Sequence, residues 1–264
     1  MSATIPQIFS PTQRRLSRMR AMKSARQDSF FLHDWAARNI ADRLKDIKRS
    51  FTSPYTLDRC ADTVCDDEIL PIEPGTHDLI TSNLYLHTLN DLPGMLIQIR
   101  RSLKPDGLFI GAMMGGETLH ELRHAMTQAE MDLRGGLSPR VAPFADKQQM
   151  GELMQRAGYA LPVIDSDIIT VTYRDFYKLL HDLRHMGENN MLAARSKFFT
   201  PRTLFSRTQE IYRDLYSDAD GLLRATFEIV FVLGWAPHDS QPRPLKPGTA
   251  QVHLSDILSN EETE

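Results

Sequence analysis

Apolar residues recur at helical spacing from Phe30 onward, at Phe31, Trp35, Ile40, Leu44 and Ile47, and the charges between them predict a helix that packs one face. Residues 51–65 lose that period, and only a short strand around Tyr55–Leu57 is expected there. Asp78–His87 reads as a strand that ends in polar groups. Asn90 or Asp91 then caps a helix whose buried stripe is Leu92, Met95, Leu96, Ile99 and Leu103. The turn Lys104-Pro105-Asp106-Gly107 leads into a continuous apolar strand, Leu108–Met114, which completes a βαβ unit with a parallel crossover.

Gly115-Gly116 stops that strand, and a helix is predicted over Glu117–Leu133. A polar loop, Gly135–Phe144, precedes a helix over Asp146–Gly158. Alternation predicts a strand at Val163–Tyr173, followed by a helix over Phe176–Met186. Thr200-Pro201 marks the start of a helix running to Tyr216, and Leu223–Trp235 reads as a last strand. The proline-rich stretch from Pro237 to Pro247 should wrap the surface, and the acidic end should fray.

Composition adds limits. At 264 residues with 41% apolar content, the chain is long enough for a globular α/β core. The longest membrane candidate, Phe227–Pro237, is interrupted by Glu228 and falls short of the roughly 20 apolar residues a spanning helix needs. Residues 1–10 lack a secretory pattern, and with only Cys60 and Cys65 present the expectation is a cytoplasmic protein without a structural metal site. Net charge is −3, but residues 11–50 carry eleven Lys/Arg against four Asp. No aromatic interleaves the charges of Arg14–Arg26, so a solvated amphipathic helix is expected there, and no nucleic acid partner.

Candidate chemistry is sparse. His120-Glu121-Leu122-Arg123-His124 matches the HExxH zinc pattern on a predicted helix, yet no third ligand follows. His181 and His185 share a helix face in the same way and read as ordinary packed or surface histidines. Gly115, Gly116 and Glu117 stand at a strand's carboxyl end, either as a ligand-facing loop or as a simple turn. Arg123 and Arg140 are candidates for gripping a substrate or partner carboxylate, or for ion pairs with Glu117 or Asp146. Residues 1–74 contain no glycine, and the first is Gly75.

DRLKDIKRSF (42–51), DDEILPI (66–72), the long run 77–123, GGLSPRVAPFAD (135–146), LMQRAGYALPVIDSD (153–167) and GWAPHDSQPRPLKPGTA (234–250) together resemble one family. It comprises the methyltransferase-like proteins of alphaproteobacteria and mitochondria, whose mitochondrial member is an assembly factor for respiratory complex I. The resemblance implies a Rossmann-like class I S-adenosylmethionine methyltransferase fold, with a seven-stranded, mostly parallel sheet that binds the cofactor at its strands' carboxyl ends. By the same resemblance Asp66 matches the acid that meets the adenine amino group. Ser82, Asn83 and Leu84 match the strand end closing the cofactor pocket, and His87 matches a polar residue beyond it, the candidate catalytic base. Thr88 stands where the family usually has Trp.

One part of the family pattern has no room. Its first strand, glycine loop, helix and second strand take on the order of 30 residues, and only fourteen, Thr52–Cys65, are available. The expectation is a truncated α/β fold: a basic flexible arm over 1–28, one domain over 29–250 with a mostly helical insertion at about 116–199, and an acidic tail over 251–264. S-adenosylmethionine is the implied cofactor, with its binding impaired. The expected function is that of a pseudoenzyme that binds and assembles a client, a respiratory-chain subunit. The alternative is an active methyltransferase or arginine-modifying enzyme acting on a protein or small molecule.

Overall fold

A computed structural model describes residues 7–24, 29–58 and 68–242. Two helices open the described chain, α1 (Pro11–Ser24) and α2 (Phe31–Lys45). Strands β1 (Pro54–Asp58) and β2 (His77–Asn83) follow, then a 3-10 turn at Leu86–Thr88, helix α3 (Leu92–Ser102) and strand β3 (Leu103–Met114). The remainder runs α4 (His120–Arg134), α5 (Lys147–Arg156), β4 (Ala160–Tyr173), α6 (Phe176–His185), α7 (Arg202–Tyr216) and β5 (Leu223–Trp235).

The five strands form one sheet in the order β1-β2-β3-β5-β4. Its parallel character is confined to β1–β2 and β2–β3, and β5 runs antiparallel to both β3 and β4. Strand β1 supplies the partner that β2 needs, so β2 is not an edge. Being an edge strand itself, β1 buries only Leu57, which is why its sequence carries so weak a signal. The segment 116–199 contains β4, which covers the strand expected over Val163–Tyr173 and pairs along most of its length with β5.

Two apolar layers sandwich the sheet. One gathers Leu32, Ala36 and Ile40 of α2 with Leu122, Ala125 and Met126 of α4 and Phe176, Leu204 and Tyr212. The other sets Met95, Leu96 and Ile99 of α3 and Met150 and Met154 of α5 against Ile80, Phe109, Val230 and Val232. The stripe expected for α3 is buried apart from the partly buried Leu92, whereas of the positions expected for α2 only Ile40 is buried and Phe31, Trp35, Leu44 and Ile47 are partly buried against the first layer.

Three element ends differ from expectation, each for a local reason. Strand β2 stops at Asn83 because Leu84 adopts a positive φ of 43°, where a strand cannot continue. The Lys104–Gly107 turn is an excursion within β3, since His77 pairs with Leu103 and Leu79 with Leu108. Helix α4 begins at His120 rather than Glu117 because β5 captures the preceding turn, as described below. The basic segment 11–24, expected in a flexible arm, is instead a docked helix. Arg14 is buried, donates to Glu68 Oε1 at 2.5 Å and reaches the Thr88 carbonyl at 3.0 Å.

Candidate functional site

The carboxyl ends of β1 and β2 meet under α2. Asn83 Nδ2 donates to the His33 carbonyl at 3.1 Å and lies 3.4 Å from Asp58 Oδ2. These contacts tie the crevice where the family resemblance puts a cofactor. Two buried oxygens there, Ser82 Oγ and Asn83 Oδ1, have no hydrogen-bond partner among the described residues. Leu84 is fully buried, its N–H bonded to the Ala112 carbonyl at 2.9 Å. Asp66 lies outside the described residues, as do Cys60 and Cys65.

The same acidic motif contributes a residue that sequence reasoning passed over. The Glu68 carboxylate accepts from Asn90 N (3.0 Å), Asn90 Nδ2 (3.2 Å) and Asp91 N (2.7 Å) as well as from Arg14. It thereby joins α1 to the start of α3, where Asp91 caps by accepting from Gly94 N at 2.9 Å. At the opposite end of β2, Asp78 holds the entry to β1. Burial pushes its pKa up, but hydrogen bonds from Thr52 N and Oγ1 and from Ser53 N, helped by the Lys104 charge, outweigh burial and hold it at about 2.

His87 sits in the 3-10 turn with its ring buried. Its Nε2 lies 3.3 Å from Glu188 Oε1, Phe144 packs edge-on at 5.7 Å, and Nδ1 has no partner among the described residues. Thr88, Phe144 and Glu188 around it line a cavity of about 620 Å³, but His87 does not. As a base it is one shell removed from that space.

The diglycine turn is built against β5. Gly115 N donates to the Glu228 carbonyl (2.8 Å), Glu117 N donates to the Glu228 carboxylate (3.0 Å), and Thr118 Oγ1 exchanges hydrogen bonds with the Glu228 backbone. A Cβ on Gly115 would lie 2.6 Å from Glu228 Oε2, so glycine is needed for this close approach. Arg123 caps the same turn, donating to the carbonyls of Gly116 (3.3 Å) and Thr118 (3.1 Å). Glu228 was visible in the sequence as a lone acid within an apolar strand.

Arg140 is engaged by neither Glu117 nor Asp146. It donates to Glu130 Oε1 at 2.7 Å and to Thr200 Oγ1 at 3.3 Å, while Asp146 caps α5. Burial pushes the Glu130 carboxyl up, but the bonds from Arg140 and Ser138 outweigh it and lower its pKa. Nothing in the sequence marks Glu130 as the partner, because the pair spans a loop between elements. The HExxH motif serves packing. Buried Glu121 accepts from Thr226 N and Oγ1, His124 Nδ1 lies 2.8 Å from the Tyr216 hydroxyl, and the His120 ring stands edge-on to Tyr216. No metal-ligating cluster occurs among the described residues.

Comparison with known proteins identifies the relationship. Residues 14–162 match a Methyltransferase domain. The chain is 42% identical over 194 residues to "Arginine-hydroxylase NDUFAF5, mitochondrial" of Danio rerio, covering 74% of this chain and 60% of that protein. The Homo sapiens protein of the same name is 41% identical over 194 residues, covering 74% and 56%. A "Malonyl-[acyl-carrier protein] O-methyltransferase" of Gallionella capsiferriformans is 35% identical over 193 residues, covering 73% and 63%. The chain thus spans about 60% of the length of these relatives. The matches bear out the resemblance read from the sequence motifs. They overturn the cytoplasmic expectation, because the NDUFAF5 relatives are named mitochondrial. That expectation rested on the lack of an apolar secretory run, a feature that mitochondrial addressing does not use.

Proposed function

The chain belongs to the methyltransferase-domain family, and from that premise we propose that it acts as a binding and assembly factor for a client protein of the respiratory chain, with impaired binding of S-adenosylmethionine. The observation that carries this reading is the span after β1. Only nine residues, 59–67, separate Asp58 from Glu68, and none is glycine. Family members hold the cofactor's charged end on backbone amides of a glycine turn following the first strand, and no side chain lets a backbone come as close. The residues present therefore do not fit the cofactor's usual cradle.

Magnitudes support the same conclusion. A hydrogen bond to a charged group contributes about 1.5–3 kcal/mol, so losing two weakens binding by about three powers of ten. The tie from Asn83 to the His33 carbonyl further occupies the crevice with the protein's own groups. Docked α1, with its basic and exposed positions, offers a surface for a client.

A second reading, an active methyltransferase or an arginine-modifying enzyme, is favoured by one observation. Ser82 Oγ and Asn83 Oδ1 are buried without partners among the described residues, and buried polar atoms ordinarily have them. Calorimetric titration of S-adenosylmethionine into the purified chain separates the two. No heat up to millimolar ligand is expected, and micromolar affinity would select the transferase.

A further inference from the structure

The cavity of about 620 Å³ lies within the size range of small-molecule sites, and its two sides differ in chemistry. Everything that β3, α4, α7 and the turn before α4 contribute is apolar: Met114, Leu119, Leu122, Met126 and Phe205. The charges come from elsewhere. Arg20 of α1, Arg184 of α6, Arg195 and Lys197 of the following loop, and Arg140 line it against a single carboxylate, Glu188.

Those charges are not all internally balanced. Arg140 is offset by Glu130, although its Nε is buried without a partner among the described residues. Glu188 faces His87. Arg184, Arg195 and Lys197 have no ion-pair partner among the described residues. A space with one dry wall and one cationic wall attracts anions and repels cations, because low-dielectric walls focus the field of the bordering charges.

We propose that this cavity binds an amphipathic carboxylic acid, its head among Arg184, Arg195 and Lys197 and its apolar body against Met114, Met126 and Phe205. The proposal goes beyond the assembly reading and does not require it. It also separates this site from one that would admit an arginine side chain, whose guanidinium would enter a region of like charge.

Decanoate, decanol and decylamine titrated into the full chain test it by calorimetry, with no cofactor or client present. Decanoate should bind about tenfold or more tightly than decanol, and decylamine weakest. Arg184→Glu combined with Lys197→Glu, both exposed positions, should lower decanoate affinity about tenfold while leaving decanol binding and the thermal melt unchanged. Decanol binding as well as decanoate, or decanoate affinity unmoved by the charge reversal in a folded variant, would overturn the proposal. Decyl phosphate binding far more tightly than decanoate would overturn the choice of a carboxylate head. Failure here leaves the client-binding reading intact, because no client enters the measurement.

Discussion

The two ends of the central sheet handle polar groups in opposite ways. On the parallel side, the carboxyl ends of β1 and β2 are drawn together by Asn83, Asp58 and the His33 carbonyl, leaving the family's cofactor crevice tied with the protein's own groups. On the antiparallel side, α1, α4, α6 and α7 line a cavity bordered by cations. The first region is bridged by hydrogen bonds, while the second holds an open space of about 620 Å³. The two regions rest on different elements, so a change in one need not disturb the other.

The cavity side is broken most severely by removing Arg140. Arg140→Ala leaves the buried Glu130 carboxylate with Ser138 and only the longer 3.7 Å pairing to the more exposed Arg134, so the loss should approach from below the cost of a broken buried pair, about 3–5 kcal/mol. Urea denaturation should register that loss, with Arg140→Lys intermediate because one ammonium cannot reach both Glu130 and Thr200 as a guanidinium does.

The boundary between the two regions is tested at Gly115. In Gly115→Ala the new methyl lies 2.6 Å from Glu228 Oε2 and 2.7 Å from Val230 Cγ2. Relieving that contact displaces the turn that starts α4, with an expected loss of about 1–3 kcal/mol in thermal or chemical denaturation. An unchanged melt would mean that the turn yields freely.

The smallest effect belongs to the parallel side and depends on pH. Because the Asp78 carboxyl is held at about 2 against an ordinary 3.8, it binds a proton more readily in the unfolded chain. Its stabilisation is therefore present in full well above pH 4 and is lost as pH falls through about 2, amounting to about 2 kcal/mol. Asp78→Asn should lower stability by about that much at pH 7 and by almost nothing at pH 2. An equal loss at both values would show that the carboxylate's charge is not what holds Thr52 and Ser53.

Much of this architecture was legible in the pattern of apolar residues. The helical periods of α2 and α3, the Thr200-Pro201 start of α7, the apolar run of β3 and the alternation of β4 each matched one element, because local geometry repeats with the element that carries it. What failed to show were features set by distant partners. Helix α4 starts late because Glu228, more than a hundred residues away, captures Glu117 N. Arg140 met Glu130 rather than Glu117 or Asp146. Edge strand β1, with one buried side chain, did show, as the short strand expected around Tyr55–Leu57.

The amino-acid order alone determined that there is no glycine before Gly75 and that only nine residues, 59–67, lie between β1 and Glu68. Its motifs also identified the family, since both are properties of residue identity and spacing. Only the tertiary structure decided that the basic N-terminal helix is docked through Arg14, that the HExxH residues pack against Tyr216 and Thr226, and that five cations border one cavity. Each of those depends on which surfaces are pressed together from remote parts of the chain, and local periodicity carries no record of that.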